Sequence, residues 1–236
     1  MPAQDDKFYL GHRERLKEKF LDNKLTEYEQ LELLLSFAIP RRDVRPLSRK
    51  LIDHFGSVYY VIIAEYDDLI AVPGVGRSTA ILIKLVCSLI SISHVKKLTN
   101  TPIFQDHVAL EEYCRMKLAA KTNEEFHVLY LDGKFKLIEH EVHSQGSIES
   151  SNVYIDKIIQ RALNKGAKSL VLLHNHPATD NMFSSQDVEL TQNIITTLQP
   201  CGIRLYDHFV IAGGIMHSLR ATGLLNQSGQ TPINHQ

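Results

Sequence analysis

Ser169-Leu170-Val171-Leu172-Leu173-His174-Asn175-His176-Pro177 is an apolar run that gives way to two histidines and a proline. A run this short and this apolar reads as a strand buried on both faces. Successive side chains on an extended backbone point to opposite faces, so His174 and His176 project to the same side. Both imidazoles can then meet one metal ion, and Pro177 fixes the chain as it leaves. Asp187 falls in the first turn of a helix read over Ser185–Leu198, and a carboxylate there returns the chain to the same point. Two neutral histidines and one carboxylate form a nitrogen–oxygen set that suits Zn²⁺, with a fourth position open for water. Iron(II) uses the same ligand types. The spacing from Ser184 to Asp187 also fits a helix N-cap with an acid three residues on.

Working outward, Asp156–Lys165 has the apolar pattern of an amphipathic helix and Gly166 closes it. Phe126–Leu131 and Lys136–His143 read as strands joined by a hairpin at Asp132-Gly133, and Ile203–Ala212 reads as a further strand. These elements predict an α/β sandwich, a mixed sheet with flanking helices. Residues 1–95 read instead as helical throughout. Thr26 and Glu29 have capping-box spacing ahead of the apolar stretch Leu31–Phe37, which Pro40 ends. Further helices are expected over Leu47–His54, Val58–Ala64 and Arg77–Ser93. The polar stretch Lys96–Thr101 ending in Pro102 is the expected linker. The expected class is therefore α+β, with an all-helical domain over residues 1–98 and a mixed-sheet domain over 103–236.

Within the helical part, Val72-Pro73-Gly74-Val75-Gly76-Arg77 has the pattern of a helix-hairpin-helix. Its glycines permit a tight turn that exposes backbone N–H groups at the start of the next helix. Those donors, with the helix dipole, bind phosphate without reading bases. Gly74, Val75, Gly76 and Arg77 are the candidate nucleic-acid contacts, with Lys84 and the cluster Arg41, Arg42, Arg45 as further basic residues. Binding to DNA is expected to be sequence-independent and salt-sensitive.

Composition sets the outer bounds. Hydrophobic residues make up 44% and charged residues 22%, so the chain can bury real cores and is not a disordered tail. The first 100 residues carry 15 Lys+Arg against 13 Asp+Glu and the rest 11 against 14, too weak a polarity to identify a nucleic-acid binder by itself. Three widely spaced cysteines, Cys87, Cys114 and Cys201, argue against a disulfide framework and against thiolate metal ligands. No unbroken apolar run approaches the roughly 20 residues of a membrane span, and Met1–Lys7 lacks the features of a secretory signal. The expected setting is the cytoplasm, with no membrane partner.

His174-Asn175-His176-Pro177, then Ser184 and Asp187, resembles the JAMM (MPN-type) metalloprotease signature. With Glu125–Asp132, Gly146-Ser147 and Asp207-His208, the chain resembles the bacterial RadC family (UPF0758, DNA repair protein RadC) from about Gly11 to Leu225. The resemblance implies a cytidine-deaminase-like JAMM fold and a zinc-dependent hydrolase that cleaves an amide or isopeptide bond in a protein or peptide. It also implies an association with DNA, whose alternative form is a non-catalytic DNA-binding accessory factor in repair. In JAMM enzymes a glutamate from an early strand acts as general base toward the water that the metal activates, a role this resemblance gives to Glu125. It gives Ser184 the role of hydrogen-bonding the developing oxyanion. Family members usually follow the histidine–proline motif with Ser-Gly-Asp-Pro, whereas this chain has Ala178-Thr179-Asp180-Asn181-Met182-Phe183.

Overall fold

The run that opens with Ser169 forms strand β3 (Ser169–His176), and the sheet gathers around it. The structure is a computed structural model that describes residues 5–145, 153–177 and 182–225, without side chains for residues 5–10. Gly146-Ser147 and the atypical segment 178–181 lie outside the described residues. The chain divides into two compact units, Met1–Ile90 and Ser91–Gln236.

The first unit is helical, as its sequence requires. Its elements are α1 (Asp5–Leu21), α2 (Glu27–Ala38), α3 (Arg45–Phe55), α4 (Val58–Ile63), α5 (Tyr66–Ala71) and the start of α6 (Arg77–Asn100). Thr26 and Glu29 form the capping box reciprocally, and Pro46 sits in the first turn of α3, where its missing N–H is not needed. Leu31, Leu35, Leu51, Val61, Leu69, Val75 and Ile83 share one core.

Two expectations about α6 change. It continues through Lys96–Asn100, so that stretch is helix and not linker: Lys, Leu and Thr at these positions carry no breaker, and Pro102 is the first residue that cannot continue a helix. The division between the units falls earlier, between Ile90 and Ser91. The helix is also long and apolar enough, by length and composition, to cross a membrane, with 22% of its most apolar stretch buried. Reading unbroken apolar runs missed this, because Lys84, Ser88 and Ser91 interrupt the run without outweighing its average. Ile81, Leu85, Leu89 and Ile92 lie exposed along it at helical spacing.

The second unit adds α7 (His107–Leu118), β1 (Glu125–Leu131), β2 (Leu137–Gln145), α8 (Ile155–Asn164), β3, α9 (Ser185–Leu198), β4 (Arg204–Ala212) and β5 (Ile215–Ser218). The five strands run in the order β2-β1-β3-β4-β5. Only β3 and β4 are parallel; the other pairs are antiparallel. The alternation of the strands divides the core. Leu129, Leu131, Val171, Leu173 and Phe209 pack with Leu110, Tyr113 and Leu118 of α7. Phe126, Val128, Tyr130, Leu170 and Leu172 pack with Ile158 and Ala162 of α8 and Leu190, Ile194 and Leu198 of α9. Each fully buried aliphatic or aromatic side chain contributes roughly 1.5–3 kcal/mol.

The β1–β2 hairpin forms, with a different device in its turn. Asp132 Oδ1 accepts the N–H groups of Lys134 and Lys136, and the left-handed residue is Phe135 (φ 59°) rather than Gly133. The acid, not the glycine, closes this loop.

Candidate metal centre

The sheet places the two histidines where the sequence pattern puts them. β3 extends through His176, so both imidazoles leave the same face, toward α9. Asp187 stands in the first turn of α9, its backbone position fixed by Ser184 at the N-cap. His174 Nε2 lies 3.0 Å from His176 Nε2 and 3.0 Å from Asp187 Oδ1, and His176 Nε2 lies 3.4 Å from Asp187 Oδ2. One ligand atom from each residue lies within 4.8 Å of the others. Two imidazole nitrogens and a carboxylate oxygen that converge this closely fit a divalent metal ion. His174 is fully buried, Asp187 nearly so, and His176 is partly exposed, so the centre is approached from the side of His176.

The electrostatics favour ligation. Burial pushes His174 below the ordinary imidazole range, against the raising effect of Asp187, which keeps the ring neutral and able to donate a lone pair. Burial also acts to raise Asp187, but hydrogen bonds from His174 and His176 outweigh it and hold the carboxyl well below its usual range.

Behind the ligands stand residues that hold them. His208, on β4 and fully buried, meets His174 Nδ1 through its Nε2 at 2.8 Å, and its Nδ1 meets Thr191 Oγ1 of α9 at 2.6 Å. The ring of Phe126 stacks on His174 with centroids 6.2 Å apart and planes inclined by 24°. The sequence marked His208 only as part of a family motif, and Thr191 carried no signal beyond helix periodicity.

The early strand requires a correction. Phe126 pairs with His174 across the β1–β3 ladder, so even-numbered residues of β1 share the face of the ligands and odd-numbered residues share the other. Glu125 therefore points to the α7 face, away from His174 and His176. There it accepts from His127 Nε2 at 2.9 Å, with Gln145 Nε2 at 3.3 Å and Lys121 Nζ at 3.3 Å. His127 Nδ1 in turn meets His140 Nε2 at 2.8 Å, and His140 Nδ1 meets the Tyr113 hydroxyl at 2.6 Å. Glu125 is thus the end of a buried polar chain on the far face, not a group at the metal centre. The carboxylate whose charge acts on His174 is its neighbour Glu124. Two adjacent glutamates at a strand start differ only by face, and the strand register that assigns the face is a tertiary fact.

Asn175 explains why Glu124 is held. Its side chain points to the α7 face, where Oδ1 accepts the Glu125 N–H at 2.8 Å and Nδ2 donates to the Asn123 carbonyl at 3.0 Å. The backbone on both sides of Glu124 is tied to the residue between the two ligands.

Ser184 is also more narrowly defined than the sequence allowed. Its hydroxyl donates to Asp187 Oδ2 at 2.6 Å and accepts the Asp187 N–H at 3.1 Å, which is N-cap geometry. The proton that an oxyanion would need is engaged on a ligand carboxylate, so Ser184 orients Asp187 in this arrangement.

In the helical unit, α5 and α6 are joined by the turn 72–76, with Gly74 at φ 107°. Val75 is buried in the core and its N–H is engaged on the Val72 carbonyl, so it anchors the turn and offers no donor. Gly74, Gly76 and Arg77 are exposed, and with Arg41 and Arg42 they line a cleft of about 720 Å³. Arg45 is paired with Asp43 at 2.7 Å.

Residues 104–224 match the family model of the RadC-like JAB domain. A UPF0758 protein of Fusobacterium nucleatum subsp. nucleatum is 35% identical over 225 residues, which is 91% of this chain and 97% of that one.

Proposed function

The chain belongs to the RadC family, and on that footing we propose that it is a zinc-dependent hydrolase of metallopeptidase type, cleaving an amide or isopeptide bond while associated with DNA. The observation that carries the reading is the convergence of His174, His176 and Asp187 at one point, with the charge of Glu124 acting on His174 from β1. Zinc held there supplies a Lewis acid that polarises a carbonyl and activates water. The residues of the chain do the rest. Glu124 takes the role of general base at this face, a positioned carboxylate of the kind that proton transfer to and from water requires. Phe126 and the buried α9 face exclude bulk water behind the ligands, and the partly exposed His176 leaves the opposite side open to a substrate.

Metal analysis of the purified chain, followed by incubation of the zinc-loaded protein with peptide and isopeptide substrates, tests the reading. Stoichiometric zinc with turnover that Glu124→Gln abolishes supports it. Protein that binds no divalent metal refutes it.

The exposed Gly76 and Arg77 at the start of α6, facing the same cleft as Arg41 and Arg42, favour a second reading: a DNA-binding accessory factor whose metal domain recognises a partner without catalysis. DNA binding that survives removal of the metal, with no turnover on any amide substrate, would favour it.

A further inference from the structure

We propose that Thr191 and His208 form a directional hydrogen-bond relay that sets the tautomer of His174 and so turns its Nε2 lone pair toward the metal. The inference rests on the metal-centre reading above and concerns residues to which neither the sequence nor the family signature gives a task.

The direction of the relay follows from counting protons. Thr191 Oγ1 lies 2.5 Å from the main-chain carbonyl oxygen of Asp187. That carbonyl can only accept, and two oxygens at this separation repel unless a proton lies between them, so the single hydroxyl proton of Thr191 is spent there. Thr191 Oγ1 must then accept from its other neighbour, which is His208 Nδ1 at 2.6 Å. A neutral His208 that carries its proton on Nδ1 presents a lone pair at Nε2. Opposite it, at 2.8 Å, is His174 Nδ1, which must therefore carry the proton of its own ring. The remaining nitrogen, Nε2 of His174, is left with a lone pair directed at the point shared by His176 Nε2 and Asp187 Oδ1.

Nothing in the surroundings offers these groups a way out. Thr191, His174 and His208 are each fully buried, so no solvent contact can satisfy a reversed bond. Burial also pushes His208 well below the ordinary imidazole range, with the neighbouring His174 acting in the same direction, so His208 is neutral and has one ring proton to place. Asp187 participates twice: its carboxylate is a ligand, and its main-chain carbonyl is the terminus that fixes the polarity of the relay. A single turn of α9 thereby couples the third ligand to the tautomer of the first.

Thr191 and His208 are positioning residues in this scheme, acting on the metal through His174. Groups that orient a ligating histidine in this way typically alter metal affinity roughly 10–100-fold when removed. The test is chelator competition for zinc with the full chain, comparing wild type, Thr191→Val and Thr191→Ser. Valine keeps the shape of threonine and lacks the hydroxyl; serine keeps the hydroxyl. The relay requires zinc affinity to fall by roughly 10–100-fold in Thr191→Val and to be restored in Thr191→Ser. A second readout uses ring ¹⁵N shifts of His174 in metal-free wild-type protein, which must report the Nδ1–H tautomer, a property that mere packing would not fix.

Wild-type zinc binding that Thr191→Val leaves unchanged would overturn the relay and spare the metal centre. An Nε2–H tautomer of His174 in the wild type would overturn it as well, whether or not any variant folds. Absence of zinc binding by the wild type would instead sink the metal-centre reading, and the tautomer measurement would still decide the relay.

Discussion

Asn175 Oδ1 accepts the backbone N–H of Glu125 at 2.8 Å, so the residue between two metal ligands holds the strand from which Glu124 reaches the same centre. Asn175 is itself buried, and its Nδ2 donates to the Asn123 carbonyl. Asn175→Ala would leave these main-chain groups without their partner, at a cost of about 1–3 kcal/mol for each group left buried and unsatisfied. Urea denaturation of the full chain measures the loss. An unchanged midpoint would mean that the 121–125 segment does not depend on this amide.

The two adjacent glutamates should behave differently. Glu124→Gln is expected to lower turnover on any amide substrate by roughly 10²–10⁴-fold with zinc content unchanged, as removal of a general base does. Glu125→Gln disturbs the His127 and Lys121 contacts on the other face and should leave most of the turnover intact. Parallel kinetics on the two variants decides the matter, and the reverse ranking would restore Glu125.

Acid should destabilise the mixed-sheet unit well above the carboxylate range. Burial, with the charges of His127 and Lys117 beside it, pushes His140 down to about 3 from an ordinary value near 6.5. The unfolded chain therefore takes up a proton as pH falls through about 6.5 while the folded chain refuses it until about 3. The unfolded state binds more protons in that window, so stability falls with pH there, by up to about 1.4 kcal/mol per pH unit from this one group. His127, His143 and His208 are also shifted downward by burial and act with the same sign. Denaturant midpoints at pH 7.5, 6 and 5 should decline, and less steeply in His140→Gln.

The glycines of the helix-hairpin-helix separate fold from binding. A Cβ on Gly74 would stand 3.3 Å from Leu47 Cδ1 at a backbone angle of φ +107°, whereas nothing lies within 4 Å of one on Gly76. Gly74→Ala should thus cost the helical unit about 1–2 kcal/mol, the usual penalty for forcing a side chain into left-handed backbone. Gly76→Ala should be nearly neutral in a thermal melt. If the proposed DNA contact is real, Arg77→Ala weakens binding uniformly across sequences and reduces the salt slope by about 1. An unchanged slope would remove Arg77 from the contact.

What the sequence determined by itself is what depends on period and spacing. Two histidines at i and i+2 after an apolar run must share a face of a strand, and an acid three residues past Ser184 must stand in the first turn of a helix; both hold in β3 and α9. The helical first unit, the capping box at Thr26 and the turn before Arg77 were legible for the same reason, since local propensity and capping chemistry act within a few residues.

The tertiary structure decided whatever depends on register between distant segments. Glu124 and Glu125 are equivalent as a sequence, and only the pairing of Phe126 with His174 assigns one of them to the metal face. Thr191 and His208 are ordinary helix and strand residues until the parallel pairing of β3 with β4 and the packing of α9 bring them in line behind His174. Short-range pattern fixes which face a side chain takes within its own element. Which face of the sheet that element turns toward the site is fixed by long-range ladder register and core packing, and a linear pattern does not contain it.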